Sequence, residues 1–113
     1  MNEKKKIILG ISCGDINGVG LEIIIKLFLS SELCTFCVPI LYVPQKAIKF
    51  YKKHYKLFQE FSYHVINSSN NASSSQVNVI KCFEKSFDVE LGQATEIGAQ
   101  IAIQSLDLAI EDL

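Results

Sequence analysis

The sequence predicts an α/β fold: a mostly parallel sheet with flanking helices, with residues 1–113 amounting to one domain at most. Three observations predict it. Short apolar runs alternate along the chain with longer segments of helical spacing. The first run is apolar at every position, as a parallel strand covered on both faces requires. Apolar residues make up 49% of the 113 residues, which suits an ordered core and not a disordered chain. This length holds one sheet with its helices, but not two domains with a cleft between them.

Residues 7–12 (IILGIS) read as the first strand, and residues 13–20 as a turn-rich loop with three glycines. Residues 21–29 (LEIIIKLFL) carry β-branched side chains that favour a strand. Glu22 and Lys26, however, lie one helical turn apart with the acid nearer the N-terminus, and the glycine-rich loop before them suits a helix start. The segment is therefore read as a mostly buried helix. Residues 36–43 (FCVPILYV) form the second strand, with Pro39 marking its start or an edge position because proline cannot donate to a ladder. Residues 45–57 read as a helix with Lys46, Lys49, Lys52, Lys53 and Lys56 outside and Ile48, Tyr51 and Tyr55 inside. Residues 61–66 are a third strand.

The stretch 67–76 (NSSNNASSSQ) is small, polar and aperiodic, and reads as a flexible surface loop. Residues 77–80 resume a strand, and 87–89 are a further extended candidate. Residues 93–113 are the clearest helix: Ala94, Ile97, Gly98, Ile101, Ala102, Ser105, Leu106 and Ala109 recur at three and four. Asp107, Glu111 and Asp112 sit where a helix prefers cations, and no glycine or lysine closes it, so this helix is expected to run on past the sequence.

Charge argues against nucleic acid. Eleven lysines and no arginine face twelve acids, a net −1, whereas nucleic-acid surfaces carry a basic excess. The balance is +4 over residues 1–80 and −5 over residues 81–113, as in a severed part of a larger pattern. No apolar segment approaches the about 18 residues of a membrane span. Met1-Asn2-Glu3-Lys4-Lys5-Lys6 mimics the charged start of a signal peptide, but the apolar run that follows stops at Ser12. A cytoplasmic location follows from that reading. Cys34 and Cys37 have the two-residue gap of metal and redox sites, yet Cys13 and Cys82 fit no compact zinc spacing, so all four read as free thiols.

One segment carries candidate chemistry: Gly14-Asp15-Ile16-Asn17-Gly18-Val19-Gly20-Leu21-Glu22, between a strand and a helix. Ligands of open α/β sheets bind beyond the carboxyl ends of strands, and free N–H groups at a helix start can hold an anion. The segment lacks a Gly-Lys-Ser/Thr ending, and its glycine spacing is four then two, so it matches neither common nucleotide fingerprint. By spacing alone it is either a structural turn or a ligand-facing loop. His54 and His64 read as surface or packing residues.

The same motif, with the block Gly92-Gln93-Ala94-Thr95 followed by Gly98 and Ser105-Leu106-Asp107-Leu108-Ala109, resembles the opening third of the 4-hydroxythreonine-4-phosphate dehydrogenase family of vitamin B6 biosynthesis. Ile16, Val19 and Leu21 stand where the family usually has Pro, Ile and Pro. The resemblance implies an incomplete part of a two-domain fold of the isocitrate and isopropylmalate dehydrogenase kind. It implies NAD and a divalent metal cation as cofactors of the whole enzyme, a small phosphorylated metabolite as substrate, and a homodimer with three metal-binding histidines that this chain does not contain. Gly14, Asp15, Asn17, Gly18, Gly20 and Glu22 match the family's cleft loop, with Asp15 and Asn17 as ligand-facing side chains and Glu22 as a cap. The chain alone is expected to bind neither cofactor and to be inactive. The alternative is a noncatalytic α/β module that binds a phosphorylated metabolite or serves in assembly.

Overall fold

A computed structural model describes residues 6–83 and 85–113; the charged opening over residues 1–5 lies outside them. Four strands, β1 (Ile7–Ser12), β2 (Cys37–Tyr42), β3 (His64–Ile66) and β4 (Asn78–Ile80), form one sheet in the order β1-β2-β4-β3, with every pairing parallel. Three α-helices, α1 (Gly20–Leu27), α2 (Gln45–His54) and α3 (Glu96–Glu111), flank it. The expected α/β class and parallel sheet are borne out.

Alternation along the strands divides the core. Leu41 and Val79, partners in the register, point to one face. There they join Leu21 and Ile25 of α1, Ala47, Ile48 and Tyr51 of α2, and Phe58 and Phe61 beyond it. Ile40, Tyr42 and Ile66 point to the other face, against Leu108 and Ala109 of α3. The sheet is thus covered on both sides, but unevenly. Ile7 is 72% and Ile8 62% exposed in β1, an edge strand among the described residues. The expectation that β1 is covered on both faces fails there, because nothing described stands beyond that edge.

Several other expectations are corrected. α1 buries one side only: Leu21 and Ile25 are covered while Ile23 and Leu27 face outward. Pro39 lies within central β2, at neither its start nor an edge. Its missing donor is tolerated because pairing with β4 begins only at Ile40, and the Asn78 side chain donates to the Pro39 carbonyl at 3.0 Å. α2 stops at His54, and a 3-10 turn at Lys56–Phe58 completes the segment; Tyr55 between them is half-buried. Residues 87–89 join no strand. Phe87 is buried and Asp88 exposed in an irregular stretch whose Phe87 carbonyl accepts a bond from Lys46.

α3 begins at Glu96, later than expected, because Thr95 caps it: the Thr95 hydroxyl accepts from Gly98 N–H at 2.9 Å. Its covered side is narrow, with Gly98, Ile101 and Ser105 buried; Ala94, Ile97 and Leu106, expected inside, are exposed. The acid at its far end has a partner. Tyr42 donates its phenolic hydrogen to Asp112 at 2.6 Å, and burial together with that carboxylate pushes the Tyr42 pKa up.

The segment 67–77 connects two neighbouring parallel strands. It holds a 3-10 turn at Ser69–Asn71 and is anchored by Asn78, whose amide donates toward the carbonyls of Ser73 and Gln76 while its oxygen accepts from Ser73 N–H at 2.7 Å. No helix among the described residues is long and apolar enough to cross a membrane.

Candidate functional site

Residues 13–19 leave the carboxyl end of β1 and turn into α1. Gly14 takes a φ of +63°, a backbone state that favours glycine. Asp15 then folds the loop on itself: its carboxylate accepts from Asn17 N–H at 2.9 Å, and its carbonyl accepts from Gly18 N–H at 3.0 Å. Gly18 and Gly20 do not adopt positive φ; added side chains there would meet backbone oxygens at 3.4 and 3.7 Å. α1 starts at Gly20 without a side-chain cap, so Glu22 contributes charge to the first turn and no capping bond.

Asn17 is the hub. It is only 3% exposed. Its side-chain amide donates to the Thr95 hydroxyl at 3.1 Å, and its side-chain oxygen accepts from Glu90 N–H at 2.7 Å. Its own carbonyl accepts from Gly92 N–H at 2.8 Å. Three bonds therefore clasp the β1–α1 loop to a segment more than seventy residues later. Thr95 closes the circle by also capping α3.

Two residues outside the motif complete this clasp. A Cβ at Gly98 would stand 2.8 Å from an Asp15 carboxylate oxygen and 3.0 Å from the Asn17 amide nitrogen and the Thr95 hydroxyl, so any larger residue would force these bonded side chains to shift. Tyr51, buried in α2, donates to the carbonyl of Ile16 at 3.0 Å or that of Gly18 at 3.2 Å. Burial first, then nearby Tyr55, Glu22 and Asp15, pushes its pKa up to about 12, which keeps the phenol protonated as a donor. Deeper in, Ser105 bridges the strands where they end: its hydroxyl accepts from Cys13 N–H at 2.9 Å and donates to the Tyr42 carbonyl.

The sequence signal for Thr95 was its position as a Ser/Thr-type cap directly before a periodic apolar run. Periodicity places Tyr51 and Ser105 on inner faces, but nothing local marks their bonds, whose partners are 33 or more residues away.

The outer side of the loop lines an open concavity of about 220 Å³ with Asn17, Gly18, Val19, Glu22, Tyr51, Tyr55, Leu91 and Gly92. Of the six motif residues, three line it: Asn17, Gly18 and Glu22. Gly14, Asp15 and Gly20 build the turn behind it.

The other candidates lie elsewhere. His54 ends α2, bonded to the Phe50 carbonyl and stacked on the Phe50 ring at 4.0 Å, and exposed His64 opens β3. All four cysteines are free; Cys13, Cys34 and Cys82 are buried and Cys37 half-buried. Burial pushes the Cys13 thiol up and that of Cys82 up to about 12, so both stay protonated at neutral pH. No three His, Cys, Asp or Glu side chains form a metal site among the described residues, so the implied cation finds no ligand set here.

An all-parallel sheet with helices on both faces and a hydrogen-bonded loop at the carboxyl end of its first strand is the architecture of an open α/β unit. In sequence the chain is similar to 4-hydroxythreonine-4-phosphate dehydrogenase of Bacteroides thetaiotaomicron, with 32% identity over 110 residues, covering 97% of this chain and 30% of the relative. In fold it matches a crystal structure of a 4-hydroxythreonine-4-phosphate dehydrogenase from Burkholderia phymatum, with a TM-score of 0.76 over 96% of this chain and 33% of that one; at 22% identity, this likeness speaks for the fold alone. No protein-family model matches. The resemblance read from residues 14–22 is borne out over nearly the whole chain, which spans about a third of the length of the proteins it matches.

Proposed function

We propose that this chain forms one wall of the ligand cleft of a dehydrogenase that oxidises 4-phosphooxy-L-threonine, and that it does not turn over substrate alone. One observation carries the reading: the 110-residue sequence likeness includes the β1–α1 loop, which lies where open α/β sheets take ligands. In the whole enzyme, a bound NAD would supply the hydride acceptor, and the oxidised product would lose CO2 to give 3-amino-2-oxopropyl phosphate. A divalent cation, held by residues outside this chain, would supply Lewis-acid polarisation of the reacting oxygen. The assembly is a cytoplasmic homodimer.

The role of this chain's residues is binding and orientation. Gly14 and Asp15 set the turn, Asn17 fixes it to residues 90–95, and Gly18, Glu22 and Tyr55 face the concavity. The uncapped N–H groups of the first turn of α1 supply partial positive charge beside it, which the Glu22 carboxylate offsets.

The test is a spectrophotometric assay of NADH. The purified chain with NAD, substrate and a divalent cation yields none, whereas its fusion to the remainder of the Bacteroides relative yields NADH. Turnover by the chain alone, abolished by a chelator, would overturn the reading. Binding of the phosphorylated substrate by the chain, paired with an inert fusion, would favour the noncatalytic module instead.

A further inference from the structure

A larger concavity than the one beside the β1–α1 loop opens between α3 and the stretch that follows β4. It holds about 750 Å³, within the range of sites for small organic ligands. It shares no lining residue with the concavity at Asn17 and Glu22. Lys81 and Lys85 bring two ammonium groups to it, and no acidic residue among the described ones lines it. From α3, Gln100, Gln104 and Leu108 follow one another at four-residue spacing, two carboxamides and then an apolar end. Half-buried Phe83 adds an aromatic ring. Phe83 is also strained: its φ is +52°, the one positive φ of a non-glycine residue among the described residues. For a bulky side chain that state is costly and persists only where its surroundings hold it. They do so here. The Phe87 ring meets the Phe83 ring edge-on at 5.6 Å, and Lys46 in turn bonds the Phe87 carbonyl and lies over the Phe87 ring. An aromatic ring thus stands where the backbone favours glycine, and that ring lines the cavity.

We propose that this cavity binds a small phosphate monoester of a flat aromatic alcohol. The two lysine ammonium groups take the phosphate, whose charge of roughly −2 at neutral pH matches theirs. Phe83 and Leu108 cover the ring of the ligand, with Phe83 offering an offset or edge-on aromatic contact. Gln100 and Gln104 each present a donor and an acceptor to polar substituents on that ring. An aliphatic phosphate engages the lysines but leaves the aromatic contact unused, so the cavity selects for the ring. The proposal goes beyond the dehydrogenase reading and does not depend on it, since it concerns a second ligand and a different set of residues.

The probe is 4-nitrophenyl phosphate, titrated into the purified chain by calorimetry, with 4-nitrophenol, inorganic phosphate and O-phospho-L-threonine as controls. The ester binds at least about tenfold more tightly than any control. Lys81→Gln with Lys85→Gln, both at exposed positions, weakens it at least about tenfold and leaves the melting temperature within about 2 °C. Phe83→Leu keeps an apolar side chain at the strained position but removes the ring, and binding falls at least about threefold. Amide shifts in the NMR spectrum on titration gather at Lys81, Lys85, Gln100 and Gln104. No binding up to about 5 mM, or equal affinity for inorganic phosphate or phosphothreonine, would overturn the site. So would unchanged affinity in either variant, or amide shifts centred on Asn17 and Glu22 instead. Tighter binding of a phosphotyrosine peptide than of the free ester would assign the cavity to a protein partner and overturn the small-ligand proposal.

Discussion

Helix α3 meets two different environments. At its start, Thr95 and Gly98 lock into the β1–α1 loop through direct hydrogen bonds and a contact with no room for a methyl group. Along its outer flank, Ile103, Leu106 and Ile110 touch little and face outward. The first region is polar, satisfied and intolerant of change. The second is apolar and open. The contrast teaches that the loop's shape is set by bonds within this chain, whereas the outer stripe contributes little to the stability of the chain by itself.

Substitutions can break or sharpen this contrast. Asn17→Ala has the largest expected effect. It removes two side-chain bonds and strands the Glu90 amide, costing about 2–3 kcal/mol. Thermal unfolding checks it, with a fall of roughly 10 °C or more expected. Ser105→Ala comes next: the buried Cys13 amide loses its partner, for about 1–3 kcal/mol by denaturant titration. Gly98→Ala follows, and its sign is diagnostic. In an open helix this change gains up to about 1 kcal/mol. Here the new methyl would press on Asp15 and Asn17, so a loss of about 1–2 kcal/mol is expected. A gain would show that the clasp is looser than drawn. Ile23→Gln, on the exposed side of α1, marks the lower end at within about 0.5 kcal/mol of wild type.

Most elements were legible in the sequence, although residues 87–89 form no strand and the third strand spans only His64–Ile66. The run 7–12 gives β1 to the residue, and the periodicity after residue 93 locates α3. What failed depended on distant neighbours. Uniform apolarity says that β1 suits burial, but not whether anything covers it. Pro39 reads as an edge marker until the late start of the β2–β4 ladder, at Ile40, is known. In the loop, the motif pointed to Asn17, and its spacing is compatible with either a structural or a ligand role. Its bonds to Glu90 and Thr95 span 73 and 78 residues, a separation that no local pattern encodes. Gly98 was visible as a small residue on the inner face of α3, but its contact with Asp15 was not.

The polar stretch between β3 and β4 has a consequence beyond its own surface. It returns the chain to the starting end of the sheet, so that β4 runs alongside β3 in the same direction. A tight turn in its place would make a hairpin and reverse β4. Residues 81–95 would then emerge at the opposite rim, and neither Glu90 nor Thr95 could come to Asn17. An unremarkable serine- and asparagine-rich tether thus acts as a direction-setter, and the stretch most tempting to trim in protein engineering is one whose shortening would unfasten the distant loop.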